Sequence, residues 1–260
     1  MTAAHPGDVY LVGAGPGDPE LLTLKAARLL ASADVLLHDD LIPAAVLAHA
    51  GNALVINVGK RCGRKNISQE QINAMMIDYA RRGLSVVRLK SGDPLVFGRA
   101  GEEMDSLRAA SVPFEVIPGI TAASAAAAAL RQPLTDRRSA SSISFSAGQH
   151  APGSELNPAS VSASTRVVYM PGRNLSAVAT QLRSEGLSAD LPCVIVSRAA
   201  QPDQQIVRTT LGQLDRIAPV AAPSILLAGE VMRDSQTSNL DSIAPYLRES
   251  SANQPQAADL

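Results

Sequence analysis

The sequence predicts an α/β protein made of two α/β halves. Short apolar runs alternate with helical patterns, the signature of βα units around a largely parallel sheet. The pattern changes after Leu130, where Pro133-Leu-Thr-Asp-Arg-Arg138 reads as an inter-domain segment. A chain of 260 residues can bury a substantial core, as one large domain or two of about 100–150 residues each. The expected division is an N-terminal domain over 7–134, a C-terminal domain over 135–248 and a disordered polar tail over 249–260.

Val9-Tyr-Leu-Val12 is the first expected strand. Asp18-Pro-Glu20 then supplies an N-cap, a proline at the first helical position and an acidic first turn, opening a helix that runs through Leu21 to Ser32. Val35–Leu37 and Leu54–Ile56 are the next strands. Ser68-Gln-Glu-Gln71 is a capping box that opens a helix to Arg82, with Gly83 as its stop. Val86–Leu89 is a strand, Arg99–Ala110 a helix and Phe114–Ile117 the strand after it. Thr121 caps an alanine-rich helix reaching Leu130. In the second half the expected strands are Ile143–Ser146, Arg166–Tyr169, Cys193–Val196, Gln205–Thr209 and Ser224–Leu227. Ala151–Ser164, rich in Ser, Pro and Ala, is expected to be an exposed loop. No internal repeat is visible.

Composition narrows the function. A net charge of −1 gives no bulk attraction for a polyanion, which argues against nucleic-acid binding. The longest small-apolar stretch, Gly119–Leu130, has about 12 residues and is too short to span a bilayer. The N-terminus lacks the basic start and apolar run of a secretory signal. Cys62 and Cys193 form no CxxC, and His5, His38, His49 and His150 show no metal-binding spacing, so no metal site is expected. These features suit a cytoplasmic protein.

Four segments could carry chemistry. Gly13-Ala-Gly-Pro-Gly-Asp-Pro-Glu20 is a glycine-rich turn between the first strand and helix, which brings backbone close to a ligand. It departs from the dinucleotide fingerprint GxGxxG at Asp18, and Pro16 removes an amide donor. Asp18 and Glu20 put negative charge where a phosphate would sit. A diphosphate is poorly served and a neutral or cationic ligand is tolerated; a tight turn without a ligand is the plain alternative. Gly59-Lys60-Arg61 is not a Walker A loop, since Leu54 stands where that motif needs glycine.

His38-Asp39-Asp40 and Gly59-Lys60-Arg61 each follow a strand, where open α/β sheets place ligands. A carboxylate and an ammonium there could act as proton acceptor and donor, or could simply be solvated loop charges. Arg88-Leu-Lys-Ser-Gly-Asp-Pro-Leu-Val-Phe-Gly-Arg-Ala-Gly-Glu-Glu103 is a strand, a glycine-containing loop and a helix start, suited to an amino-acid moiety or to ordinary turn chemistry. Ile117-Pro-Gly-Ile-Thr-Ala-Ala-Ser124 has small side chains that allow close helix–sheet or helix–ligand approach.

Taken together, GAGPGDPELLTLKA, RLKSGDPLVFGRAGEE and PFEVIPGITAAS, in this order and spacing, resemble the tetrapyrrole methylase family over about Val9 to Arg233. The resemblance implies two α/β domains with the active site in the cleft between them, usually in a homodimer. It implies S-adenosylmethionine as methyl donor, S-adenosylhomocysteine as product, and two successive C-methylations converting uroporphyrinogen III to precorrin-2, toward siroheme or cobalamin-type cofactors. The implied donor contacts are Pro16, Ser91, Gly92, Asp93, Val96, Thr121, Ala122, Met170 and Ala199. The implied acid/base pair is Asp39 and Lys60, and the substrate-facing residues are Arg99, Glu102 and Arg137.

Several positions depart from the family pattern. Ser91 and Ala100 replace glycines, Asp40 replaces an arginine, Asp136 replaces a histidine, and Pro171 follows Tyr169-Met170 where glycine is usual. An octa-acidic substrate calls for cations, with Arg61, Arg64, Lys65, Arg99, Arg137 and Arg138 as candidates. The alternatives are methylation of a later precorrin, a catalytically silent S-adenosylmethionine-binding module, and a nicotinamide-dependent oxidoreductase built on the Gly13 turn. No dehydrogenase or ferrochelatase domain is expected on this chain.

Overall fold

The computed structural model describes residues 4–59, 67–148, 164–172 and 175–233. Lys60, Arg61, Cys62, Arg64, Lys65 and His150, most of the expected loop at Ala151–Ser164 and the expected tail lie outside the described residues.

Strands β1 (Val9–Gly13), β2 (Val35–His38), β3 (Leu54–Asn57), β4 (Val86–Lys90) and β5 (Phe114–Ile117) form a parallel sheet in the order β3-β2-β4-β1-β5. Successive side chains leave a strand on opposite faces, and both faces here are apolar. Tyr10 and Val12 pack with Leu29 and Leu30 of α1 (Leu24–Ser32) and Val46 of α2 (Ala44–Leu47). Val9 and Leu11 pack with Ile72 and Met76 of α3 (Gln69–Arg81) and Leu107 of α4 (Ala100–Ala109).

Helix α5 (Ala122–Leu130) leaves this sheet and buries Ala123, Ala126 and Leu130 against Val167, Val194 and Ile225 of a second sheet. That sheet comprises β6 (Ser142–Ala147), β7 (Ser164–Tyr169), β8 (Pro192–Ser197), β9 (Gln205–Thr210) and β10 (Ser224–Ala228), in the order β6-β7-β10-β8-β9. Its far face is covered by α6 (Leu175–Ser184), whose Leu175, Val178 and Leu182 meet Val168, Ile195 and Leu226.

The strands appear where the sequence predicts them, but the second sheet is not a parallel βα array. Only β6 and β7 pair in parallel; the other pairs are antiparallel. The connection Arg198–Gln204 between β8 and β9 is a tight turn, whereas a parallel crossover takes about a dozen residues or more. The first helix also differs. Asp18 accepts the Glu20 amide at 2.9 Å, capping only a 3-10 turn over Pro19–Leu21, and Leu22 is extended. A second cap, Thr23 to the Ala26 amide at 3.1 Å, then starts α1. The capping box at Ser68 forms as expected, with both reciprocal hydrogen bonds made.

Candidate functional site

The loops after β1, β4 and β5 interlock at the carboxyl end of the parallel sheet, where open α/β sheets hold ligands. The Gly15 amide donates to the Gly92 carbonyl at 3.2 Å and the Gly92 amide to the Gly15 carbonyl at 2.7 Å. A Cβ on Gly13 would stand 2.7 Å from the Gly92 oxygen, and one on Gly119 would collide with the same atom. These glycines let three loops pack backbone to backbone. Asp93 clasps the arrangement, accepting the Leu95 amide at 2.8 Å and the Gly119 amide at 3.0 Å. The amides that a phosphate would need at Gly15 and Gly92 are therefore already used.

The second domain closes over these loops and leaves a narrow crease. One wall carries Pro16, Ser91, Gly92 and Ala122; the other carries Val196, Ala199 and Ile225. None of its lining residues is charged. An uncharged lining of this kind suits a neutral ligand, does not repel a cationic one and offers no counter-charge to a diphosphate. Gln201 latches the domains by donating to the Pro16 carbonyl at 3.0 Å.

Beside the crease, sharing Ser91 with it, opens a cleft of about 500 Å³. Asp39, Asp40, Arg88, Lys90, Val96, Phe97 and Arg99 contribute to its lining. Arg88 and Lys90 are two apart on β4, so both point to the α3/α4 side. Both meet Glu103 of α4, Arg88 Nε at 3.0 Å and Lys90 Nζ at 2.9 Å from its Oε1. Arg88 Nη2 also reaches Asp39 Oδ1 at 2.5 Å. Glu103 is fully buried and Arg88 is 3% exposed. Burial, and next the neighbouring Arg88 charge, pull the Lys90 ammonium below its ordinary pKa. Asp40 is fixed by Asn57, whose Nδ2 donates to Oδ1 at 2.8 Å.

The structure thus gathers the sequence-predicted residues into two adjoining places. Pro16, Ser91, Gly92, Ala122 and Ala199 line the crease; Asp39, Val96 and Arg99 line the cleft. Thr121 is the N-cap residue of α5, but its hydroxyl makes no cap and instead meets the Tyr169 hydroxyl at 2.5 Å. Met170 follows at the end of β7, half exposed and left-handed at φ +48°. Arg99 grips Glu102 through two hydrogen bonds of 2.7 Å, and that contact raises its pKa. Arg137 is exposed on the turn before β6 and does not line the cleft. Next to it Arg138 pairs with Asp136 and holds that carboxyl down to about 2.

The sequence motif Arg88–Glu103 contains Arg88, Lys90 and Glu103, but the sequence reading assigns them no role. A signal was present: two cations at alternate positions of the otherwise apolar Val86–Lys90 strand must share one face, and both faces of a parallel strand are buried. Gln201, Val196 and Ile225 carried no comparable signal, because only the closure of the domains brings them to the crease.

A parallel sheet feeding its strand-end loops into a crease bordered by a second, mixed sheet defines an α/β protein built on two sheets. The chain belongs to the tetrapyrrole (corrin/porphyrin) methylases, whose family model matches residues 8–215. It is 45% identical over 237 residues to the S-adenosyl-L-methionine-dependent uroporphyrinogen III methyltransferase, chloroplastic, of Arabidopsis thaliana, covering 87% of this chain and 64% of that protein. It is 44% identical to the siroheme synthase of Acinetobacter baylyi, covering 88% of this chain and 52% of that one, so it spans about half the length of that relative. The uroporphyrin-III C-methyl transferase of Thermus thermophilus, solved in complex with S-adenyl homocysteine, matches with a TM-score of 0.75 and 39% identity, over 87% of this chain and 99% of that one.

Proposed function

We propose that the chain transfers methyl groups from S-adenosylmethionine to two carbons of uroporphyrinogen III in succession, yielding precorrin-2 and S-adenosylhomocysteine. One observation carries this reading: an uncharged crease and a cleft holding a carboxylate and cations share a wall at Ser91. The donor and substrate in the name of the Arabidopsis relative, and the ligand of the Thermus structure, support it.

When bound, S-adenosylmethionine supplies a methyl group already activated by its sulfonium charge. The residues of this chain then have three tasks. Pro16, Ser91, Gly92, Ala122 and Ala199, with Asp93, Val96, Thr121 and Met170 around them, hold the donor against the cleft without repelling its charge. Aligning the attacking carbon with the methyl in this way can be worth about 7–11 kcal/mol. Arg99, held by Glu102 in the cleft lining, receives a carboxylate of the substrate, each charge-assisted hydrogen bond contributing roughly 1.5–3 kcal/mol. Asp39 accepts the proton that the macrocycle must lose once its new carbon–carbon bond has left it cationic, and Lys60 completes the acid/base pair.

Mass spectrometry of uroporphyrinogen III after incubation with S-adenosylmethionine tests the reading, which expects a gain of two methyl groups. A gain seen only with a later precorrin would move the substrate along the pathway, and binding without any gain would make the chain a silent module. Asp39→Ala is expected to slow turnover while leaving S-adenosylhomocysteine affinity nearly intact. We further propose a cytoplasmic homodimer. Among the described residues no helix is long and apolar enough to cross a membrane, and the edge strand β6 exposes Ile143 and Phe145. Light scattering on the purified chain reads the oligomeric state.

A further inference from the structure

We infer that Arg88 is a positioning residue: a buried guanidinium that bridges Asp39 in the cleft to Glu103 beneath it and holds the Asp39 carboxylate aimed at the substrate. The inference rests on the proposed reaction and adds to it a residue that acts through Asp39.

The geometry is that of a clamp with one fixed end. Glu103 is fully buried on α4, and its Oε1 takes Arg88 Nε at 3.0 Å, Lys90 Nζ at 2.9 Å and Gln69 Nε2 at 3.3 Å. Arg88 Nη1 donates to the Leu89 carbonyl at 3.2 Å, which fixes the plane of the guanidinium. Nη2 is thereby left pointing at Asp39 Oδ1, at 2.5 Å. The base of the clamp is dry and rigid while its tip reaches a carboxylate whose side chain is 31% exposed toward the cleft.

Charge balance explains why the clamp needs Asp39. Arg88 and Lys90 bring two positive charges under the cleft, and Glu103 answers only one of them. Asp39 supplies the second acidic partner, through its contact with Arg88 Nη2. Burying an unpaired charge is costly, and truncating one partner of such a set leaves that cost exposed. The network is thus poor value as a stabiliser against apolar residues of similar volume. It is well suited to keeping one carboxylate oriented at a point where a proton must be received. A lysine at position 88 could satisfy Glu103 or Asp39 but not bridge them, because it lacks the planar fork.

A double-mutant cycle tests this with the full chain. Wild type, Arg88→Met, Asp39→Asn and the double variant are compared for kcat and KM with uroporphyrinogen III, and for S-adenosylhomocysteine Kd by calorimetry. Arg88→Met is expected to lower kcat by up to about 100-fold, with KM and the S-adenosylhomocysteine Kd within about twofold of wild type. In the Asp39→Asn background the same substitution is expected to cost almost nothing further, since the group it positions is gone. Equal losses in both backgrounds, or a collapse of S-adenosylhomocysteine binding in step with kcat, would show a merely structural role and overturn the inference. If Arg88→Met does not fold, Arg88→Lys serves: a reduced kcat at unchanged Kd is expected, and wild-type kcat overturns the bridge. Failure of the wild type to methylate uroporphyrinogen III sinks the proposed reaction itself, and this inference with it, whereas an active wild type with additive variants sinks the inference alone.

Discussion

The hydroxyl groups of Thr121 and Tyr169 lie 2.5 Å apart, and through them the loop after the parallel sheet is tied to the last residue of β7 in the second sheet. Tyr169 is also the centre of an aromatic group, with Phe97 at 4.9 Å and Phe145 at 5.6 Å between ring centroids. The ring packs and the hydroxyl latches. Tyr169→Phe keeps the first and removes the second, and is expected to cost about 0.5–1.5 kcal/mol of unfolding free energy. Tyr169→Ala removes both and is expected to cost about 3–5 kcal/mol. Guanidinium titrations of the two variants separate the contributions.

Gly13 is required by packing, since a Cβ there would meet the Gly119 amide and the Gly92 carbonyl within 2.7 Å. Both obstacles are backbone, which cannot swing aside as a side chain would. Gly13→Ala is expected to destabilise the fold by about 1–3 kcal/mol and to weaken S-adenosylhomocysteine binding in the same variant. Calorimetry beside a denaturant midpoint checks both. Gly101, whose added Cβ would meet nothing within 4 Å, is the control position.

Arg99 and Glu102 are both about half exposed, so their ion pair is screened by water. Pairs of that kind contribute roughly 0–1 kcal/mol to stability. Arg99→Ala is therefore expected to leave the denaturation midpoint almost unmoved while raising KM for the tetrapyrrole. An unchanged KM would remove Arg99 from the substrate site. Glu102→Gln keeps the side-chain length but loosens the grip on Arg99, and a smaller rise in KM is expected from it.

Burial pushes the Cys193 thiol up to about 12. Its pKa is raised relative to the unfolded chain, so the unfolded state gives up the proton first as pH rises. The stability associated with this thiol is complete below the unfolded pKa of about 8.5. It is lost as pH climbs from there toward 12, by up to about 1.4 kcal/mol per pH unit. Tyr169 acts in the same direction, because burial raises its phenol as well. Denaturant midpoints measured from pH 8 to pH 11 are expected to fall. In a Cys62→Ser background, Cys193 is expected to resist alkylation at pH 8 unless the chain is unfolded.

Much of this architecture was legible in the order of the residues. Apolar runs such as Val9–Val12 and Val35–Leu37 mark strands because both of their faces are buried, and the reciprocal Ser68/Gln71 cap needs only residues three apart. Local chemistry of that sort survives folding. Where two local signals competed, as with Asp18 and Thr23, the sequence suggested one long helix and the chain formed a turn and then a helix. The α6 pattern of Leu175, Val178, Ala179 and Leu182 was visible at helical spacing but passed unread. The antiparallel pairing of β8, β9 and β10 had no signature within the strands themselves, since pairing direction is set by how the connections run.

By itself, the sequence determined the two α/β halves, the glycine-rich loops and the family, because these depend on residue type at fixed short spacing. Tertiary structure alone decided that the glycines are spent on one another, that Asp93 clasps loops, and that Val196, Ala199 and Ile225 complete a crease begun by Pro16 and Ser91. It also placed Arg88 between Asp39 and Glu103. Such relations join residues from separate strands and helices, and contact over that separation exists only once both sheets have buried their faces.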